Sequence, residues 1–522
     1  MMAKRAKTAF IFVVLFGFAF WLSLSTRFFF GLRDYGHDAG LFAYVGYAIT
    51  QGKALYTQAW DNKGPLLYMI DALGILINYS HGIYFLELLT LFGTVVFLYK
   101  TAGLFVSRGV ALPCAVVSML SLITTLEGGN LSEEYALPFT ALAFYLIAKY
   151  LRSGLRLKAV EMMLVGMCIS AVFLLRMNIL AFLCVAVLGV IVVLLKEKNY
   201  KELGKVFLFA FLGFAIFTAP FVIYLAAKGS LKACIDSAYL GAVGAFSPIS
   251  KGKRINNVNN MALSLSASGS LFIAVLFIFF FALDYILNKK YKKCRNDPFD
   301  VLCAISFFGL FATLLANSLS GANHLHYFMS FVPVMLLPTV WLAKAALRIV
   351  KPERLGGKIK RYYKPAVSFG LAAVIGFSCV LQNSIALFWK YKYERKTDEP
   401  AKADLVVDYI RQNTEETDLV EVIGYETAVT SYYGAKRLAA SNYFYYANGR
   451  FSEEAKTGFA NKIAEDLMKN HPKLIMFELN GGSGKQYDFE RHCADVEQWR
   501  AFLNENYVLQ DNDFGYTIYK HK

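Results

Sequence analysis

Long apolar runs separated by short basic loops dominate the chain as far as residue 388. A run of about 20 apolar residues is long enough to cross a hydrocarbon core about 30 Å thick. The pattern therefore predicts about eleven membrane-spanning helices. They cover residues 8–27, 84–104, 110–126, 135–151, 159–176, 178–196, 205–227, 266–287, 299–319, 327–347 and 366–387.

A shorter apolar run at residues 65–79 contains Asp71, and loop charge indicates that it does not cross. With a cytoplasmic N-terminus and no crossing there, every densely basic loop, such as "NKKYKKCR" at residues 288–295, falls on the cytoplasmic side. The loops "EGGNLSEE" and "GANHLHY", which have no Lys or Arg, fall outside. Residues 28–83 then form one long external loop with short helices lying along the membrane interface.

Composition agrees with a polytopic membrane protein. The chain has 522 residues and is 57% hydrophobic, against about 45–50% for soluble proteins. Its net charge of +16 is explained by the basic cytoplasmic loops, so no nucleic-acid partner is predicted. No small-residue cleavage site follows the first run, which predicts an uncleaved first helix.

The composition changes after Trp389, where the chain becomes charged and mixed. Amphipathic helical segments alternate with short apolar strands at residues 401–424 and 452–479, and a helix and a hairpin follow. This alternation is typical of a small α/β domain. We predict two domains, a transmembrane domain at 1–388 and an extracytoplasmic α/β domain at 389–522.

Ionisable and polar residues gather in the predicted external loops, although each could be only a solvated charge or a helix N-terminal residue. Together, carboxylates and cations at a membrane interface suit one reaction. A carboxylate can take a proton from an acceptor hydroxyl, and cations can stabilise a departing phosphate. The candidates are Asp34, Asp38, Asp61, Lys63, Asn130, Glu133, Glu134, Arg176 and His326.

At these residues the chain resembles the GT-C superfamily of integral-membrane glycosyltransferases, a group that includes the protein O-mannosyltransferases and the aminoarabinose transferases of lipid A. "HDAGLFAYVGYAITQGKALY" matches the first acidic motif, with Asp38 at the catalytic position. "WDNKGPLLYMIDALG" matches a helix that does not cross, with Lys63 at the phosphate-binding position. "GGNLSEEYALPF" occupies the place of the second acidic motif, with Glu133 or Glu134 as the acid. Gly64 departs from the pattern, because many relatives have proline there.

The resemblance implies an inverting transfer of a sugar from a polyprenyl-phosphate donor to an acceptor hydroxyl. Asp38 would be the general base, and Lys63 would bind the donor phosphate together with Arg176 and His326. The remaining candidates, whose roles stay open, would serve the acceptor side or the second acidic motif; they are Asp34, Asp61, Asn130, Glu133 and Glu134. The acceptor could be a wall polymer, a lipid or a protein, and the expected location is a bacterial plasma membrane.

Two other functions fit the same sequence. A transporter or flippase for a lipid-linked sugar precursor would place charges in the middle of its spans, whereas here they lie mainly at the span ends. An accessory membrane protein with an inactive site is the other alternative. No cofactor is predicted, although the carboxylates leave a divalent cation open.

Overall fold

We analysed a computed structural model of the chain. It describes residues 2–29, 37–156, 158–240, 269–287, 297–318, 324–349, 402–424, 426–445, 453–478, 486–510 and 515–522. Asp34 and the predicted span at 366–387 lie outside the described residues, as does the boundary expected at residue 388.

The described part of the chain up to residue 349 is helical. Its α-helices, in chain order, are α1 (Met2–Ser23), α2 (His37–Thr50), α3 (Pro65–Ile77), α4 (Gly82–Ala102), α5 (Arg108–Met119), α6 (Leu122–Thr125), α7 (Ser132–Arg152), α8 (Ala159–Leu175), α9 (Ala181–Lys196), α10 (Tyr200–Ala227), α11 (Leu231–Cys234), α12 (Ser270–Leu287), α13 (Pro298–Ser318) and α14 (Phe331–Ile349). Short 3₁₀ turns at Met177–Leu180 and Leu325–Ser330 lead into α9 and α14.

The first ten predicted spans each fall on one of these helices. Within the described ranges, six helices are long and apolar enough to cross a bilayer. These are Gly82–Ala102, Arg108–Thr125, Met177–Lys196, Tyr200–Ala227, Pro298–Ser318 and Leu325–Leu347. The chain is thus a helical protein with several helices able to span a membrane, and the total of eleven stays a prediction.

The described residues of the predicted first external loop include helices α2 and α3. The short apolar run at 65–79 becomes α3, whose 13 residues extend about 20 Å. Helix α2 is apolar on most of its surface, and residues 39–48 of it are buried. A helix that is hydrophobic on all sides is a buried helix, and α2 packs between α3 and the C-terminal part of the chain.

The C-terminal part, residues 402–522, folds as a sheet covered by helices. Its elements are α15 (Lys402–Asn413), β1 (Leu419–Ile423), α16 (Glu426–Ala435), β2 (Leu438–Ala439), α17 (Glu453–Asn470), β3 (Leu474–Glu478), α18 (Gln486–Glu490), α19 (Val496–Asn506), β4 (Tyr507–Gln510) and β5 (Tyr516–His521). The strand order is β2-β1-β3-β5-β4. Strands β2, β1 and β3 run parallel, and β5 pairs antiparallel with β3 and β4.

The two faces of this sheet have different partners. Side chains alternate along a strand, so Leu474 and Met476 join the core that continues into the helical region. Ile475 and Phe477 face the opposite side, where they pack with Trp499 in a second core. The sheet is therefore packed onto the helical region as well as having a core of its own.

Candidate functional site

The loop that carries Lys63 passes very close to the end of α8. Gly64 N–H donates to the Leu175 carbonyl at 3.2 Å. A Cβ atom at Gly64 would lie 2.0 Å from the Leu174 carbonyl oxygen, which is far inside van der Waals contact. A proline here would clash and would also lack the N–H, so this close approach explains the glycine at position 64.

Lys63 is held through its backbone rather than its side chain. Its N–H donates to the Tyr68 hydroxyl at 3.0 Å, and its carbonyl accepts from the Tyr56 hydroxyl at 2.7 Å. Its ammonium donates to Asn62 Oδ1 at 3.3 Å and lies 5.8 Å from the ring centroid of Phe42. These bonds fix the backbone at Lys63, and its half-buried side chain is close enough to Asp61 and Glu133 to interact with them electrostatically.

Asp38 lies in the first turn of α2, and its side chain is 26% exposed. Its Oδ2 atom is 4.0 Å from Nε2 of the buried His326. Arg176 and Asp61 are close enough to interact electrostatically with Asp38. The carboxylate thus reaches solvent while lying beside two basic side chains.

Glu127, which sequence reasoning missed, holds the other side of His326. Its Oε2 atom is 2.5 Å from His326 Nδ1 and also accepts the His326 backbone N–H at 3.2 Å. Burial opposes ionisation of Glu127, but the hydrogen bonds and charge of His326 outweigh it and hold the pKa of Glu127 below its usual value. A carboxylate at Nδ1 directs the other ring nitrogen, Nε2, toward Asp38.

An unusual turn brings Glu127 to this position. Four successive residues, Glu127, Gly128, Gly129 and Asn130, have φ angles of 45°, 96°, 82° and 54°. Two of them are glycines, for which this left-handed conformation carries no steric cost. The Gly-Gly pair after an acidic residue was the available sequence signal for this turn.

Arg176 and Glu133 form an ion pair at the start of α7. The Glu133 side chain is only 2% exposed and also accepts a hydrogen bond from Ser132 Oγ at 2.8 Å. The Arg176 guanidinium lies 4.1 Å from the ring centroid of Tyr327. We call Asp38, Asp61, Lys63, Glu127, Glu133, Arg176 and His326 the mixed-charge cluster.

Asn130 and Glu134, two further candidates from the sequence, lie in a different cluster. Asn130 N–H donates to Glu87 Oε1 at 2.6 Å, and its side-chain amide donates to Asp71 Oδ2 at 3.3 Å. Glu134 interacts electrostatically with both of these acids. We call Asp71, Glu87, Asn130 and Glu134 the acid cluster; all four side chains are fully buried. Within the described ranges, no lysine or arginine forms an ion pair with it.

Among the residues that the structure describes, no group of three or more His, Cys, Asp or Glu side chains is arranged to hold a metal ion. Since Asp34 lies outside those residues, the absence of a metal stays a prediction.

Comparison with solved structures identifies the class of fold. The crystal structure of ArnT from Cupriavidus metallidurans bound to undecaprenyl phosphate is similar over 98% of this chain and 98% of that chain, with a TM-score of 0.60 and 12% identity. The archaeal oligosaccharyltransferase AglB from Archaeoglobus fulgidus, in complex with an inhibitory peptide and a dolichol-phosphate, is similar over 99% of this chain and 74% of that chain, with a TM-score of 0.55 and 13% identity. The chain therefore has the fold of the GT-C superfamily of membrane glycosyltransferases, as the resemblance implied.

A sequence-family model identifies the family of the chain. Residues 12–365 match the family model described as the competence-induced protein Ccs4 N-terminal domain, and the chain belongs to this family. The matched region contains every residue of both clusters, whereas residues 402–522 lie beyond it. None of the curated proteins compared with the chain matches it in sequence.

Proposed function

We propose that the protein is an inverting membrane glycosyltransferase that moves a sugar from a polyprenyl-phosphate donor to an acceptor hydroxyl. The observation that carries the proposal is the mixed-charge cluster, in which the partly exposed carboxylate of Asp38 lies beside Arg176 and His326. The relatives of the same fold support the donor class, because their structures hold undecaprenyl phosphate in one case and dolichol-phosphate in the other.

In this mechanism Asp38 is the general base. It takes the proton from the acceptor hydroxyl as that oxygen bonds to the anomeric carbon, and the bond from this carbon to the phosphate oxygen breaks. Attack on the face opposite the phosphate inverts the anomeric centre. Negative charge develops on the departing phosphate, where Lys63 and Arg176 would stabilise it with His326.

The acids of the cluster assist the cations. Glu133 fixes the Arg176 guanidinium by an ion pair, and Tyr327 covers one face of it. Glu127 orients His326. Of the two adjacent glutamates, Glu133 is therefore the one we assign to the second acidic motif.

An apolar cavity supports a lipid-linked donor. It has a volume of about 350 Å³ and lies between α7, α8, α9 and α10. Met162, Gly166 and Ile169 of α8 line it, and they precede Arg176 by roughly 10–20 Å of helix rise. An isoprenoid chain whose phosphate is near Arg176 can reach this cavity.

The proposed orientation follows loop charge. The N-terminus is cytoplasmic, and the mixed-charge cluster and the C-terminal α/β domain face the outside of a bacterial plasma membrane. The full predicted architecture has eleven spans, and the domain boundary lies near residue 388. Sugar transfer then occurs where a lipid headgroup and an extracytoplasmic acceptor can meet.

The experiment measures binding of radiolabelled undecaprenyl phosphate to the purified full chain, and transfer of a radiolabelled sugar from a polyprenyl phosphate. Lys63→Met should weaken binding at least about tenfold, which corresponds to 1.4 kcal/mol. Lys53→Met, a cation of the same loop, is the matched control and should bind like the wild type. Absence of binding by the wild type, or equal binding by the two variants, would contradict the proposal.

A further inference from the structure

Asp61 joins the loop that carries Lys63 to the C-terminal part of the chain. Its side chain is 3% exposed. Its Oδ2 atom accepts from the Tyr68 hydroxyl at 2.5 Å, and its Oδ1 atom accepts from the Tyr445 hydroxyl at 3.3 Å. Tyr68 is five residues from Lys63 in sequence, whereas Tyr445 belongs to the segment after β2.

The Tyr445 segment is itself fixed within the C-terminal fold. Ser441 N–H donates to Glu421 Oε2 of β1 at 2.8 Å. Asn442 N–H donates to Asp466 Oδ2 of α17 at 3.0 Å. The Asn442 carbonyl then accepts the Trp60 N–H at 3.0 Å. Hydrogen bonds therefore run from the sheet and α17 into the loop, one residue before Asp61.

Aromatic packing reinforces this connection. The Trp60 ring lies 5.0 Å from that of Phe459 and 5.6 Å from that of Tyr443, centroid to centroid. The Tyr445 ring is 6.0 Å from Trp60. Tyr443 and Tyr445 thus contact the same tryptophan, but the Tyr443 hydroxyl accepts a hydrogen bond from the Lys462 ammonium.

Burial makes these hydrogen bonds to Asp61 consequential. Desolvation raises the pKa of Asp61, while the charge of Lys63 and the Tyr68 hydrogen bond oppose it. A buried carboxylate needs its hydrogen-bond donors. The Tyr445 hydroxyl, a hydrogen-bond donor from the C-terminal fold, therefore restrains the position of the Asp61 carboxylate and of the backbone attached to it.

We propose that Tyr445 is a positioning residue of the donor-phosphate site, which acts through Asp61 to hold the Trp60–Gly64 loop and so place Lys63. The C-terminal domain is then part of the donor site rather than an accessory. The link to the phosphate rests on the proposed function, whereas the restraint on the loop does not.

Backbone amides of the loop provide a direct readout. Trp60, Lys63 and Gly64 each donate a backbone hydrogen bond, so their hydrogen exchange reports loop opening. In the full chain, Tyr445→Phe should accelerate exchange across Trp60–Gly64 by about tenfold, because it removes one hydrogen bond to a charged group. Tyr443→Phe is the matched control, and its exchange there should equal that of the wild type.

Affinity for undecaprenyl phosphate is measured on the same proteins. Tyr445→Phe should raise the Kd by about tenfold without lowering the melting temperature more than Tyr443→Phe does. Unchanged exchange in Tyr445→Phe, or faster exchange with unchanged affinity, would overturn the inference. A wild type that does not bind the lipid contradicts the proposed function instead, and the exchange comparison then still decides whether Tyr445 restrains the loop.

Discussion

Glu133 and Glu134 are neighbours in sequence and have the same side chain, yet they belong to different clusters. Glu133 pairs with Arg176 in the mixed-charge cluster. Glu134 lies with Asp71 and Glu87 in the acid cluster. Consecutive residues of an α-helix point about 100° apart, so the start of α7 presents one glutamate to each of the two clusters.

The two clusters differ in charge balance and in access to solvent. The mixed-charge cluster combines acids with Lys63, Arg176 and His326 and has Asp38 partly exposed. The acid cluster is fully buried and is organised by Asn130. Chemistry on a large substrate requires access and charge stabilisation, whereas a closed polar network mainly specifies packing. This comparison supports our proposal that sugar transfer occurs at the first cluster and that the second has a structural role.

Replacement of the proposed base should produce the largest difference in transfer rate between variants of the two clusters. Asp38→Asn should lower the rate of sugar transfer by about 10²–10⁴-fold, the usual contribution of a general base. Binding of undecaprenyl phosphate should stay unchanged. The matched variant Asp71→Asn in the acid cluster should retain a measurable transfer rate at equal protein concentration. Equal losses in both variants would remove the distinction between the clusters.

The adjacent glutamates provide a second test. Glu133→Gln leaves the Arg176 guanidinium without its ion pair, and because Arg176 is 17% exposed we expect a cost on the order of 1–2 kcal/mol. The affinity of this variant for undecaprenyl phosphate should also fall. Glu134→Gln breaks no ion pair and should change lipid affinity less than twofold, a difference of about 0.4 kcal/mol. Thermal unfolding and lipid binding measure both effects, and a larger loss of affinity in Glu134→Gln would reverse our assignment.

Glu127→Gln should have the smallest effect and a characteristic pH dependence. The pKa of Glu127 is held below its ordinary value of 4.5, so its ionised form stabilises the fold above about pH 4.5 and this contribution is lost as the pH falls further. With the side chain 34% exposed, the difference from wild type should not exceed about 1 kcal/mol.

Melting temperatures of the wild type and Glu127→Gln should therefore differ at pH 7 and converge as the pH falls through the folded-state pKa of Glu127, which lies below 4.5. A difference that persists unchanged into acid would mean that the charge of Glu127 does not hold His326.

Several features of the site were predictable because they follow from local pattern. Asp38 lies in the first turn of an apolar helix, and Lys63 precedes a proline that starts the next one. The helix–strand order after residue 401 follows from amphipathic periodicity. Glu127 was missed because its role depends on His326, which is 199 residues away. Local sequence gives no sign of such a partner.

The membrane character and most of the acids and cations of the site could be predicted from sequence alone, because they depend on apolar run length and loop charge. Tertiary structure alone decided which glutamate meets Arg176, why residue 64 is glycine, and that Tyr445 reaches Asp61. These outcomes depend on distances between segments far apart in the chain, and only the packed fold brings those segments together.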